Sequence, residues 1–81
     1  MSKWTVEIDV DDAEEGTRAR VRLTDGAGNS FTGIGLARGD LHALDVPQIT
    51  AELAVARALA DLTEELLSAV AADVHSAVLS G

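Results

Sequence analysis

The chain has 81 residues, no cysteine and a formal net charge of −8, from 14 acidic and six basic side chains. We expect one domain over residues 1–81, with a thin core stabilised by a second copy, because neither a disulfide nor a thiolate metal site can reinforce it. The acidic balance disfavours non-specific nucleic-acid or lipid binding, since it repels phosphates. No leader-like or membrane-spanning apolar run is present, so we expect a cytoplasmic protein.

The first segment alternates apolar and polar residues from about Lys3 to Asp11. A period of two is typical of a β-strand with one buried face. We therefore predict a first strand whose apolar residues face the core. These residues are Trp4, Val6, Ile8 and Val10.

The second segment, residues 17–24, alternates in the same way after a charged turn over residues 12–16. Its two faces are Ala19, Val21, Leu23 on one side and Arg18, Arg20, Arg22 on the other. Any register that pairs the two apolar faces also sets Glu7 and Asp9 opposite arginines, because both segments have a period of two. The apolar and charge patterns agree, which predicts an antiparallel hairpin.

A third strand is predicted over residues 30–38, after the turn signal at residues 25–29. Its larger apolar residues predict that Thr32, Ile34 and Leu36 face the core. Gly33, Gly35 and Ala37 then fall on the outer face, beside the arginines. Such a bare strip either receives a flat group from a partner or is covered by the arginine stems.

One helix is predicted from about Gln48 to Leu79, preceded by a loop over residues 39–46 that contains His42. Asp45 is a suitable N-cap and Pro47 suits the first turn. At 1.5 Å per residue the helix is about 48 Å long, against about 30 Å for the strands, so its end overhangs or bends. Its apolar residues at helical spacing are Ile49, Leu53, Ala56, Ala60, Thr63, Leu67, Val70, Val74 and Val78.

Further apolar residues widen this stripe to about 200°, more than one sheet contact needs. They are Val55, Leu59, Leu62, Leu66 and Ala69. A surplus flank of this kind predicts a partner, and we expect a homodimer. The candidate interface residues are Val55, Leu62, Leu66 and Ala69.

No pattern in the chain predicts catalysis, a cofactor or a metal. The pair Gly33 and Gly35 lacks the third glycine and the following helix of a dinucleotide-binding loop. The helix carboxylates Asp61, Glu64 and Glu65 fit a solvated face, and the two histidines lack metal-ligand spacing. Trp4 fits core filling better than a stacking platform, which needs several exposed aromatics.

The main concentration of positive charge in the chain is a group of four arginines: Arg18, Arg20, Arg22 and Arg38. They are the candidate anion or RNA contact, and the competing interpretation is a solvated face paired with Glu7, Asp9 and Asp11.

Residues 33–38 (GIGLAR), 45–49 (DVPQI) and 52–62 (ELAVARALADL) resemble a family of small, chiefly actinobacterial proteins of unknown function. The resemblance runs from Trp4 to Leu67. It implies a fold similar to the double-stranded-RNA-binding domain (dsRBD): an α+β arrangement in which a three-stranded antiparallel sheet (β-β-β) packs on one long C-terminal helix. That fold is also similar to ribosome hibernation factors, which implies a stress-linked translational role.

Two hypotheses follow. The first is a non-enzymatic interaction protein that acts as a homodimer through the surplus flank of the helix. The second is association with ribosomes or structured RNA through the four arginines. RNA-binding relatives of the fold use an N-terminal helix and a lysine cluster at the start of the C-terminal helix. This chain begins in a predicted strand and has no basic residue over residues 47–52.

Overall fold

Three strands and one helix make up the chain in the computed structural model, which describes residues 2–13, 16–38 and 47–80. The elements are β1 (Thr5–Ala13), β2 (Gly16–Thr24), β3 (Ser30–Arg38) and α1 (Pro47–Ser80). The predicted order and class are confirmed, and the first strand lies two residues later than expected. The predicted loop over residues 39–46, with Asp45 as N-cap and His42, falls outside the described residues.

The sheet has the order β1-β2-β3, and both pairings are antiparallel. In the first hairpin Glu7 lies opposite Arg22 and Asp9 lies opposite Arg20, as the two alternating patterns predict. Apolar residues pair with apolar residues on the other face, where Ile8 lies opposite Val21. The predicted hairpin and its register are therefore confirmed.

The orientation predicted for β3 is wrong. Gly35 lies opposite Ala19 and Gly33 lies opposite Val21, so the glycines share the inner face of the sheet with the core residues of β2. Ile34 and Leu36 point outwards instead, with 51% and 57% of their surfaces exposed. The preference for burying the larger apolar residues fails here, because the helix lies so close to β3 that the inner face of this strand has room only for residues with little or no side chain.

Close approach of α1 is the reason for that requirement. A Cβ atom added at Gly35 would overlap the carbonyl oxygen of Ala54 and the amide nitrogen of Ala58. A Cβ atom at Gly33 would likewise overlap the carbonyl oxygen of Ala58. The helix therefore packs with its main chain against the main chain of β3, through glycines on one side and alanines on the other.

The helix lies over β3 and β2 and makes few contacts with β1. The prediction that β1 has a buried face is therefore wrong: Val6, Ile8 and Val10 are each between 45% and 52% exposed. Trp4, predicted to fill the core, is also more than half exposed. The core is correspondingly small. Within residues 2–13, 16–38 and 47–80 it consists of Ala19, Val21, Leu23, Ala37, Ala54, Ala58 and Leu62.

The turn between β2 and β3 is held by the carboxylate of Asp25. Its Oδ1 accepts hydrogen bonds from the backbone amides of Ala27 and Asn29, at 2.8 and 2.9 Å, and its Oδ2 accepts one from the Asn29 side chain. The bond from the Asn29 side chain is the main reason that the pKa of Asp25 lies below its ordinary value of 3.8. The predicted turn is confirmed, and Gly28 supplies its left-handed backbone, with φ of 91°.

Candidate functional site

The outer face of the sheet carries charged columns on neighbouring strands. The register sets Glu7, Asp9 and Asp11 of β1 opposite Arg22, Arg20 and Arg18 of β2. Ile34 and Leu36 flank the arginines on the other side. Three of the four candidate RNA-contact residues thus form one column, and Arg38 lies on the same face at the end of β3.

Each arginine of the β2 column therefore has a carboxylate directly across the hairpin. The Arg18 guanidinium lies 3.9 Å from Asp11, and both side chains are more than half exposed to solvent. Exposed pairs at that distance contribute little to stability. They do offset the positive charge that a phosphate backbone would require, so this face is closer to neutral than to basic.

The free edge of β3 is capped by side chains of α1. The backbone amide of Ile34 donates a hydrogen bond to Asp61 Oδ2 at 2.9 Å. Arg57 Nη1 donates one to the carbonyl oxygen of Leu36 at 2.6 Å. The prediction that Asp61 only faces solvent is therefore wrong, and the role of Arg57 had no sequence signal apart from its place one turn before Asp61.

Most residues of the two apolar stripes of α1 have exchanged the roles predicted for them, whereas Leu53 packs partly against the core as expected. Leu62, a candidate interface residue, is 6% exposed and belongs to the core, while Val55 and Leu66 pack partly against that core. Ala69 is partly buried beside them. These side chains already contact the sheet of their own chain, and Leu62 has no surface left for a partner.

The uncovered stripe of α1 is the one predicted to face the sheet. We call it the outer seam; its exposed members recur every three or four residues, with the three–four alternation of a coiled coil as far as Val74. Its largest side chains, Leu67, Val70, Val74 and Val78, are between 56% and 72% exposed. The hydroxyl of Thr63 donates to the Leu59 carbonyl, so the polar group within the seam is satisfied. The outer seam consists of Ala56, Ala60, Thr63, Leu67, Val70, Val74 and Val78.

An open cleft of about 460 Å³ lies between the β2–β3 turn and α1. Two carboxylates, Asp25 and Asp73, line it together with apolar walls from Trp4, Phe31, Leu66 and Val70. The Asp25 carboxylate is committed to the turn, and its lowered pKa makes it a poor proton carrier near neutral pH.

Among the described residues no group of three or more His, Asp or Glu side chains is placed to hold a metal ion. In the same part of the chain, no helix combines the length and apolarity needed to cross a membrane.

The fold is a small α+β unit whose distinctive features are exposed surfaces: a charged sheet face, an uncovered first strand and the outer seam of α1. The chain belongs to the Rv2632c-like family, whose model matches residues 2–80. It is 43% identical over 74 residues to the uncharacterized protein Rv2632c of Mycobacterium tuberculosis, covering 89% of this chain and 78% of that protein. It is 40% identical over 76 residues to the uncharacterized protein Mb1767 of Mycobacterium bovis, covering 94% and 80% respectively.

Proposed function

We propose that this protein is a non-enzymatic interaction protein that acts as a homodimer joined through the outer seam of α1. The observation that carries the proposal is the exposure of Leu67, Val70, Val74 and Val78 at regular helical spacing. Burying a side chain of this size stabilises by about 1.5–3 kcal/mol when it starts fully exposed. In a symmetric dimer both copies bury the same four side chains, so each residue contributes once from each copy.

The small core supports the same proposal. Among the larger apolar side chains that the structure describes, only Val21 is fully buried, so this part of a single copy has little apolar burial to offset the ordering of its chain. A second copy that covers the outer seam supplies part of the missing burial. We further assign the arrangement to the dsRBD-like folds, on the basis of the β-β-β-α order.

Sedimentation equilibrium at micromolar concentrations tests the dimer. We expect the wild-type chain to dimerise and Val74→Glu to be a folded monomer, because a buried glutamate without a partner is strongly disfavoured at a helix contact. Leu36→Glu is the matched control: Leu36 and Val74 are both 57% exposed, but Leu36 lies on the sheet. A monomeric wild-type chain, or equal loss of the dimer in both variants, contradicts the proposal.

A second proposal is a stress-linked association with ribosomes or structured RNA through Arg18, Arg20, Arg22 and Arg38. Its support is that all four lie on the outer sheet face; the facing carboxylates weigh against it. We expect co-sedimentation with ribosomes at low salt, lost steeply as salt rises and abolished by Arg20→Glu. Absence of co-sedimentation at low salt removes this proposal.

A further inference from the structure

The two edges of the sheet differ in which backbone N–H and C=O groups they leave without a hydrogen bond. Ile34 donates its amide to Asp61 on α1, so the amide points away from β2. Arg20, opposite Ile34, must therefore direct its backbone groups towards β1, where it pairs with Asp9. By the same alternation, the amides and carbonyls of Val6, Ile8 and Val10 point out from the other edge of β1. We call this the free edge, because no strand among the described residues pairs with it.

Apart from its acidic side chains, this edge lacks the protections that proteins usually give to an edge strand. β1 is nine residues long, pairs with β2 without a bulge, and contains neither proline nor lysine. Every one of its residues is exposed. The β3 edge, in contrast, is capped by Asp61 and Arg57.

The side chains along β1 specify what fits beside it. On the inner face Val6, Ile8 and Val10 are about half exposed and offer apolar contacts. On the outer face stand Glu7, Asp9 and Asp11, and no residue of β1 is basic. A strand added to this edge is therefore favoured when its inward residues are apolar and its outward residues are basic.

A second copy of β1 does not satisfy this requirement. Its own Glu7, Asp9 and Asp11 would lie beside the same three carboxylates on one face, and like charges directly opposite are destabilising. The chain itself contains a segment with the complementary pattern, because β2 already binds the other edge of β1 with Arg18, Arg20 and Arg22 facing the carboxylates.

We propose that the free edge of β1 binds an extended protein segment in which basic and apolar residues alternate. The bound segment becomes a fourth strand that pairs antiparallel to β1 through its backbone, as β2 does on the other side. The net charge of −8 favours its approach. This surface is separate from the outer seam of α1, so the proposal and the proposed dimer can fail independently.

The test uses a labelled peptide with the sequence of residues 17–24, TRARVRLT, added to the full chain and followed by fluorescence anisotropy. We expect saturable binding that weakens with salt. A peptide of the same composition with its three arginines adjacent, RRRTAVLT, should bind about tenfold more weakly or less, since it cannot place apolar and basic residues on separate faces. Equal binding of both peptides would mean simple charge attraction and overturns the proposal.

Two N-methylated peptides test the backbone pairing without altering the protein. In an added strand the amides of the peptide's alanine, valine and leucine face β1, because residues on the inner face form the hydrogen-bonded pairs. Methylation of those three amides should weaken binding about tenfold or more, while methylation of the arginine amides should change it little. If the two peptides bind alike, edge pairing is wrong.

Amide hydrogen exchange identifies the edge and the occupant. Peptide binding should slow exchange at Ile8 and Val10, whose amides are otherwise open to solvent. Exchange at Glu7 and Asp9, whose amides are already bonded to β2, should remain nearly unchanged.

Asp9→Lys should weaken peptide binding about tenfold, because it places a like charge opposite the central arginine. Protection of Ile8 and Val10 that rises with protein concentration in the absence of peptide would assign the edge to a second copy and overturn the proposal.

Discussion

At the scale of single residues, the absence of a side chain at Gly35 is the strongest local requirement in the fold. Gly35→Ala should destabilise the protein by about 3 kcal/mol, because its Cβ meets helix backbone that cannot move aside without unpacking the core. Urea unfolding followed by circular dichroism measures the change. Ile34→Ala is the control, and its loss should stay within about 1 kcal/mol because Ile34 is half exposed. The reverse ranking would mean that β3 has the opposite orientation.

Asp25 makes the stability of the β2–β3 turn depend on pH. Its pKa is lowered in the folded chain, mainly by the hydrogen bond from the Asn29 side chain. The unfolded chain thus binds this proton more readily, so the stabilisation is present above the ordinary value of 3.8 and is lost as pH falls through the lower folded pKa.

Asp25→Ala should therefore be less stable than the wild-type chain at neutral pH, and the difference should shrink as the pH falls below the ordinary value of 3.8 and through the lower folded pKa. Thermal unfolding of both proteins across this range measures it. Asp12→Ala, an exposed acid on β1, serves as the control and should show no such convergence. A difference that stays constant with pH would mean that the turn does not need the ionised carboxylate.

The first hairpin could be predicted because two independent patterns agreed. The alternation of apolar residues and the alternation of charges both place acidic residues of β1 opposite arginines of β2, as the pair Glu7 and Arg22 shows. β3 was misoriented because the preference for burying Ile34 ignored what the helix brings to the contact. Small residues spaced by two in the strand and by four in the helix, as at Gly33, Gly35, Ala54 and Ala58, were the available signal.

At the scale of elements, α1 caps the edge of β3 in addition to covering the sheet. Asp61 accepts the Ile34 amide and Arg57 binds the Leu36 carbonyl, so two helix side chains take positions that a fourth strand would otherwise occupy. A sequence pattern cannot reveal this, because exposed charges one turn apart on a helix usually face solvent. The capping follows from the placement of the helix, which contacts β3 more than β2 and β1 least.

Asp61→Leu keeps a side chain of similar size but removes the acceptor. We expect a loss of about 1 kcal/mol and faster amide exchange at Ile34, because its N–H is returned to solvent. Glu64→Leu is the matched control, since Glu64 is an exposed helix carboxylate. Unchanged exchange at Ile34 in Asp61→Leu would mean that the carboxylate does not protect this edge.

At the scale of the whole molecule, much of the exposed apolar surface lies on the inner face of β1 and on the outer seam of α1. The longest dimension of the chain is 55 Å, which matches a helix of 34 residues that extends beyond the sheet. Residues 71–79 of α1 are exposed throughout. The apolar stripe of α1 was too wide for the sequence to show which side of the helix faces the sheet. In the structure, one part of this stripe lies in the core and the other forms the outer seam.

If the outer seam joins two copies, the midpoint of thermal unfolding should rise with protein concentration, because association stabilises only the folded form. Val74→Glu should abolish this dependence and Leu36→Glu should retain it. Differential scanning calorimetry over a hundredfold range of concentration measures both. A midpoint independent of concentration in the wild-type chain argues against the dimer even if the protein self-associates weakly in other assays.

The backbone contact between β3 and α1 also separates the residues that set the fold from those of the outer seam, which in the proposed dimer contact a second copy. Gly33 and Gly35, with Ala54 and Ala58, fix the rotation of the helix about its axis, because turning it would drive Cβ atoms into the strand. The opposite side of the helix is then free to change without altering the architecture. Because both halves of a symmetric contact are encoded by the same residues, substitutions there change both partners together. Related chains with the same framework can in this way evolve mutually exclusive pairing while folding identically.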